Sequence, residues 1–335
     1  MSRNRGSSFD KEAFFKRHSN LHLKEKVELI EKRDPVFWAN LIEIKSHYKR
    51  SVSMYKSTLS TMINEISQAD MNHPTIHSIR YRVKDADSLL IKIIDKSAKV
   101  PAEPQGNPEI EKYRSLTKEN YYKIITDLVG VRILIRYRYQ WQAVHDLIWN
   151  LYHVDNHEYV RNWEADYCRD PGLRFIAEQP KAYIKLESDR GVYEAIGKNI
   201  FHILPSDNHY ASLHYLVNLG GTYVELQVRT IFDEAWCECS HDFVYKAPVN
   251  SQTAKNTLER LSTILAQHTT ASEEIVSLMC DIAGPSHGKP KIKVHTEENA
   301  KLNEEKSSQT FSVIKQRALL LSQQNKKQCE GVNHG

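Results

Sequence analysis

Two adjacent glycines constrain the fold of this chain more than any other feature. Gly220 and Gly221 separate the apolar-rich segments 213–219 and 223–228. Two strand-like segments joined by a pair of glycines are typical of a β-hairpin, because glycine readily adopts the positive φ angles of a tight hairpin turn. The chain therefore contains antiparallel β-structure, and an all-helical fold is excluded.

Helical and strand patterns alternate around this hairpin. The pair Asp34-Pro35 opens a long amphipathic helix that ends near residue 68. Further strands are predicted at 76–84, 128–135, 182–186 and 200–204, and further helices at 10–33, 141–151, 189–196, 231–245 and 252–279. Asp85 is predicted to cap one more helix, whose apolar residues are Leu89, Leu90, Ile93 and Ile94. This order predicts an α+β or α/β core with helix-rich ends.

Composition narrows the class of protein. The 335 residues are 40% apolar and 26% charged, which suffices for a packed core, and no run approaches the ~18 apolar residues of a membrane helix. The start lacks the apolar segment of a secretory signal, and five scattered cysteines, Cys168 among them, do not suggest a disulfide framework. We therefore expect a cytoplasmic protein with no membrane partner.

Positive charge is confined to the two ends. Residues 1–34 carry a net charge of +3 and residues 284–335 one of +4, which leaves −3 for the interior. Proteins that bind duplex DNA through their folded domain are usually basic there, so a duplex-DNA-binding protein is disfavoured. The basic ends are either solvated segments or contacts to tRNA or the ribosome.

Three cations share one face of the strand at 76–84. Arg80, Arg82 and Lys84 repeat with the period of two that places strand residues on one side. Such a row either binds an anion, for which phosphate is suited, or belongs to a solvated edge strand. The sequence leaves both interpretations open.

The least ordinary segment is the apolar strand at 128–135. Arg132 lies inside it and needs a partner or a ligand, while Gly130 allows close approach by a flat group or by backbone. Asp127 immediately precedes this strand. Function is favoured here over a purely structural role.

Two further polar rows follow the same period. Glu225, Gln227 and Arg229 alternate with apolar residues, and Tyr210, Ser212 and His214 form the other row. Ordinary half-exposed strands also alternate, so neither row is decisive alone. Taken together, however, two carboxylates for Mg²⁺, several cations for a polyphosphate and a tyrosine for a base indicate phosphoryl or nucleotidyl transfer.

In their order and spacing these residues resemble the RelA/SpoT-type alarmone synthetases. The family motifs R-V-K-x-x-x-S-x-x-x-K, D-x-x-G-x-R, Y-x-S-x-H and V-E-x-Q-V-R-T begin at Arg82, Asp127, Tyr210 and Val224 respectively. Trp236 and His241 then follow on a helix, so the resemblance covers about 75–246.

The resemblance implies a mixed sheet of the nucleotidyltransferase type and Mg²⁺-dependent transfer of pyrophosphate from ATP to the 3′-OH of GTP or GDP. Asp127 and Glu225 would hold the metal, and Glu225 would act as the base. The ATP-binding residues implied are Arg82, Lys84, Ser88, Lys92 and Arg132. The acceptor-binding residues implied are Tyr210, His214, Gln227 and Arg229.

The resemblance also divides the chain. It implies a helical extension at 1–74, a synthetase domain at 75–250 with an insertion within about 155–205, a C-terminal helix at 251–283 and a flexible basic tail at 284–335. The first segment is too short for the hydrolase domain of the long family members.

Two departures leave the acceptor open. His209 replaces the glycine that usually precedes the tyrosine, and the insertion lies beside the expected acceptor site. The alternatives are a toxin-type relative that modifies adenosine nucleotides or the tRNA 3′ end, and an inactive nucleotide-sensing or partner-binding module. The sequence also leaves open whether the chain forms a homo-oligomer.

Overall fold

A computed structural model describes residues 9–71, 75–99, 108–153, 174–185, 187–197, 199–206 and 210–240, with single positions between 256 and 278. The single positions are helical, as predicted for 252–279. Cys168, His209, His241, the tail at 284–335 and the first part of the insertion lie outside the described residues. The predicted limits of the four segments stay a prediction.

The chain divides into two compact units. The first comprises Met1–Ser57 and Val83–Val129, and the second Thr58–Arg82 and Gly130–Gly335. The helices of the first unit are α1 (Lys11–Arg17), α2 (Leu23–Glu31), the first part of α3 (Phe37–Asp70), α4 (Ala86–Ser97), α5 (Pro108–Arg114) and α6 (Tyr121–Ile124).

Helix α4 begins where its sequence predicts. The Asp85 carboxylate accepts hydrogen bonds from the backbone N–H groups of Asp87 and Ser88, at 2.8 and 3.0 Å. This N-cap satisfies donors that the first helical turn leaves without partners. The apolar side of α4 faces the protein interior, because its residues are buried: Leu89, Leu90, Ile93 and Ile94.

The second unit is built on a mixed sheet. Its strands are β1 (Ile76–Val83), β2 (Val129–Ile135), β3 (Arg174–Ile176), β4 (Lys181–Ile184), β5 (His202–Pro205), β6 (Ser212–Leu219) and β7 (Thr222–Thr230). Val83 and Val129 alone belong to the first unit. The order is β1-β2-β7-β6-β4-β5, with β3 also paired to β6. Besides the remainder of α3 and the helical positions between 256 and 278, the described helices of this unit are α7 (Trp141–Tyr152), α8 (Arg190–Glu194) and α9 (Ile231–Ser240).

The glycine pair forms the predicted hairpin. Strands β6 and β7 are antiparallel, and Gly220 and Gly221 have φ angles of 59° and 86°, which side chains disfavour. Val224, Leu226 and Val228 are buried, so the opposite face of β7 carries the polar row.

The described part of the insertion adds strands to this sheet. Strand β4 pairs antiparallel with β6 and parallel with β5. Strand β3, which the sequence pattern did not reveal, pairs antiparallel with β6. The mixed sheet with flanking helices confirms the predicted α+β class. Within the described residues, no helix is both long enough and apolar enough to span a membrane.

Candidate functional site

A cluster of two lysines and an aspartate lies in the first unit beside the N-terminal half of helix α4. The N–H of Lys84 donates to the carbonyl of Leu128 at 2.8 Å, which brings Lys84 beside Asp127. The Asp127 carboxylate lies 2.8 Å from the Lys84 ammonium through Oδ2 and 2.8 Å from the Lys92 ammonium through Oδ1. Three predicted site residues are thus brought together, and we call them the lysine cluster.

The Asp127 carboxylate is ionised in this setting. Burial works against its charge, but the two lysines outweigh burial and lower the pKa of Asp127 below its ordinary value. Ser88 is exposed one helical turn before Lys92, on the same side of α4. If an anion replaces the Asp127 carboxylate, the two ammonium groups of the lysine cluster and the nearby Ser88 hydroxyl can donate hydrogen bonds to it.

A second group of predicted residues converges on strands β6 and β7 of the other unit. In the register of the hairpin His214 lies opposite Gln227. The Glu225 Oε1 atom lies 3.3 Å from His214 Nδ1 and accepts a hydrogen bond from Gln227 Nε2 at 3.0 Å. The Tyr210 hydroxyl lies 2.7 Å from His214 Nε2.

Arg229 closes this group into a network. Its Nη2 donates to the Tyr210 hydroxyl at 3.0 Å and to the Gln227 Oε1, and its guanidinium lies 5.3 Å from the centre of the Tyr210 ring. Tyr210, His214, Glu225, Gln227 and Arg229 therefore form one connected set, which we call the strand network.

Protonation in the strand network follows from burial. Burial lowers the pKa of His214 and raises the pKa of Tyr210 to about 12, so the imidazole is neutral and the phenol protonated at pH 7. A carboxylate only accepts hydrogen bonds, so Nδ1 of His214 carries the proton and Nε2 accepts from Tyr210. The network thus directs its donors toward Glu225.

The Tyr210 ring lies among other aromatic groups. Its centroid is 5.5 Å from that of Tyr183, 5.9 Å from that of His214 and 6.5 Å from that of Trp236. These three rings and Tyr210 therefore form one aromatic cluster.

The partner that Arg132 requires is Glu234, which the sequence analysis missed. Glu234 Oε1 lies 2.9 Å from Arg132 and 3.3 Å from Arg80, and Oε2 lies 3.2 Å from Arg229. We call these four residues the arginine cluster. The available signal was the acidic first turn of α9, which follows Arg229 closely in the sequence.

Arg80, Arg82 and Lys84 thus have different surroundings. Arg80 pairs with Glu234 and, at 2.7 Å, with Glu238. Arg82 is exposed, and its Cγ lies 3.6 Å from where a Cβ on Gly130 would stand. The close approach expected at Gly130 is therefore made by an arginine side chain, at an ordinary contact distance that a methyl group would tolerate.

The two candidate metal ligands belong to different units. Asp127 is in the first and Glu225 in the second. Across the described ranges, the structure contains no cluster of three or more metal-ligating side chains. Carboxylate oxygens are the ligands that a hard cation such as Mg²⁺ prefers, and such a cation keeps several waters and binds substrate phosphates.

Comparison with known proteins assigns the class. Residues 81–250, half of the chain, match the family model described as the region found in RelA/SpoT proteins. The chain therefore belongs to the RelA/SpoT family and contains its synthetase domain. A comparison with curated proteins finds no match.

Among solved structures, the chain is similar to small alarmone synthetases. Small alarmone synthetase 1 from Bacillus subtilis, solved with its product pppGpp, shares 17% identity over 70% of this chain and 98% of its own, with a TM-score of 0.40. Small alarmone synthetase 2 from the same organism gives the same values. A GTP pyrophosphokinase family protein from Streptococcus pneumoniae shares 15% over 72% and 93%, with a TM-score of 0.41.

Proposed function

We propose that this protein is a pyrophosphokinase that transfers pyrophosphate from ATP to the ribose 3′-OH of GTP or GDP and releases AMP. The observation that carries the proposal is that five motif residues, Glu225 among them, form one connected network in a member of the RelA/SpoT family. We expect it to act in the cytoplasm, where these nucleotides are abundant.

The lysine cluster is assigned to the donor. In the described state Asp127 pairs with both Lys84 and Lys92, which leaves the lysine cluster with a net positive charge. We propose that the phosphates of ATP replace Asp127 as partner of the lysines, with Ser88 adding a hydroxyl donor. Arg82 and Arg132 would contact the two faces of the adenine, since guanidinium planes stack on aromatic rings.

Asp127 and Glu225 are assigned as the protein ligands of Mg²⁺, which would neutralise phosphate charge when bound. Release of Asp127 from the lysines would make its oxygens available at the moment when ATP binds. The exchange gives each charged group a partner before and after binding, so neither a bare carboxylate nor a bare ammonium is left in a partly buried place.

The strand network is assigned to the acceptor. Tyr210 would stack on its base, and His214, Gln227 and Arg229 would fix Glu225 beside the 3′-OH. In the reaction the 3′ oxygen attacks the β-phosphorus of ATP, its proton passes to Glu225, and the bond from that phosphorus to the α,β-bridging oxygen breaks. AMP leaves with the electron pair of that bond.

An acceptor panel tests the proposal. The purified chain would be incubated with Mg²⁺ and ATP labelled at the terminal phosphates, together with GDP, GTP, AMP, ADP, excess ATP or bulk tRNA. We expect AMP and a labelled guanosine product with GDP or GTP. Label on adenosine nucleotides or tRNA alone would establish the toxin-type alternative, and tight binding without AMP would establish an inactive module.

A further inference from the structure

The carboxylate of Glu234 lies between two arginines to which the proposed function gives different tasks. Its Oε1 faces Arg132, assigned to the adenine of the donor, and its Oε2 faces Arg229, which contacts Tyr210 in the acceptor site. We propose that Glu234 is a positioning residue that holds both guanidinium groups and so sets the donor-base and acceptor sites together. This inference rests on the proposed function.

Burial makes this carboxylate hard to replace. Only 5% of the Glu234 side chain and 3% of the Arg229 side chain are exposed, against 33% for Arg132. A buried guanidinium needs a paired anion, and three arginines around one carboxylate repel one another once it is removed. Arg229 would then shift, together with the phenol and amide that it contacts.

The neighbouring acid on α9 does not share this task. Asp233 Oδ1 lies 2.5 Å from Lys185, and Oδ2 accepts a hydrogen bond from Thr230 at 2.8 Å. Asp233 is thus paired with Lys185 and Thr230 at the first turn of α9. Among the described contacts, Glu234 is the acidic residue that contacts both Arg132 and Arg229.

Glu238 provides a matched control. It lies one turn further along α9 and contacts two of the three arginines that Glu234 contacts, Arg80 at 2.7 Å and Arg132 at 3.6 Å. Unlike that of Glu234, its side chain is 50% exposed. Glu238→Gln removes the same charge from the same helix without freeing Arg229. An exposed pair contributes little, so this variant should change kcat/KM by less than about five-fold.

The experiment compares Glu234→Gln, Glu238→Gln and the wild-type chain in two measurements. Kinetics with ATP and the preferred acceptor should show KM rising for both substrates in Glu234→Gln and kcat/KM falling about a hundred-fold, the usual result of misplaced contacts. Arginine modification by phenylglyoxal, mapped by mass spectrometry, should accelerate several-fold at Arg132 and Arg229. Arg138, which pairs with Asp189 elsewhere in the unit, should react as before.

Faster modification of every arginine, Arg138 included, would indicate general loosening and overturn the inference. Unchanged modification and unchanged KM in Glu234→Gln would overturn it as well, while AMP formation by the wild-type chain would leave the proposed function standing. If the wild-type chain forms no AMP with any acceptor, the proposed function fails, and the modification pattern alone decides whether Glu234 holds the arginines.

Glu234→Asp keeps the test decisive if Glu234→Gln does not fold. The aspartate retains the charge with one methylene fewer, so it should protect Arg229 from modification and recover part of the lost kcat/KM. An aspartate variant that is folded and shows wild-type KM values together with full exposure of Arg229 would contradict the positioning role.

Discussion

The lysine cluster and the strand network each surround a carboxylate with hydrogen-bond donors, but their construction differs. In the lysine cluster two flexible ammonium groups contact one carboxylate, and 18% of the Asp127 side chain and 27% of the Lys92 side chain are exposed. In the strand network each member contacts at least two others, and Arg229 is almost fully buried. We therefore expect the first to exchange partners more readily, and the second to be ordered before a ligand arrives.

The difference fits the groups that each site would bind. Lysine is a point charge on a flexible stem, suited to phosphates that arrive with a metal. A rigid set of directed donors is suited to holding one hydroxyl beside one base, where misplacement is costly. The following predictions test whether one region exchanges its partner and the other is preformed.

Glu225→Gln should produce the largest loss. The amide keeps the shape of the side chain and can still accept from His214 and Gln227, but it cannot take the acceptor proton or bind Mg²⁺ as an anion. We expect AMP formation to fall many hundred-fold, ~4 kcal/mol or more of transition-state stabilisation. Glu178→Gln, which removes a carboxylate paired with Lys181 outside the network, should retain activity. Near-normal turnover in Glu225→Gln would remove Glu225 from the reaction.

Asp127→Asn should separate the two tasks of this carboxylate. Turnover with Mg²⁺ should fall by a similar factor, because a metal ligand is lost. Binding of ATP without Mg²⁺, measured by calorimetry, should be as tight as in the wild-type chain or tighter, since the lysines no longer have a competing partner. Much weaker metal-free binding would contradict the proposed exchange.

Tyr210→Ala should act on the acceptor alone. Loss of a stacking ring costs ~1–3 kcal/mol, so the acceptor KM should rise, or kcat/KM fall, roughly ten- to a hundred-fold while ATP binding changes little. Tyr210→Phe keeps the ring but loses the hydroxyl contacts to His214 and Arg229, so about 1 kcal/mol should be lost. Equal effects on both substrates would indicate a packing role.

The smallest expected effect is on the pH dependence of stability, and His214→Asn tests it. Burial lowers the folded-state pKa of His214, so the unfolded chain binds this proton more readily. The associated stability is fully present above the unfolded pKa of ~6.5 and is lost as the pH falls toward the folded pKa. The free energy of unfolding, measured with urea between pH 7.5 and 5, should depend less steeply on pH in the variant than in the wild-type chain. An identical pH dependence would assign His214 an ordinary pKa.

Local features were predictable because nearby residues determine them. Gly220 and Gly221 form the hairpin turn, Asp85 caps α4, and the apolar stripe after Asp34 forms the long helix α3. The short helices α5 and α6 were not predicted, since one or two turns carry too little periodic pattern.

Long-range partners were not predictable in the same way. The sequence indicated that Arg132 needs a partner, but its contact with Glu234 spans 102 positions and depends on which strands are neighbours. The same holds for the pairing of Arg80 with Glu238 and of β3 with β6. The motif residues were found without these contacts, because their order and spacing suffice for the family.

The position of bond cleavage in ATP tests the central claim most directly. Phosphorus NMR of the wild-type chain with Mg²⁺, ATP and GDP would follow both nucleotides in one sample. We expect AMP and a guanosine nucleotide with a new 3′-diphosphate to form in equal amounts, and we expect neither product with Glu225→Gln. Formation of ADP and free phosphate, or no consumption of ATP with either GDP or GTP, would contradict it.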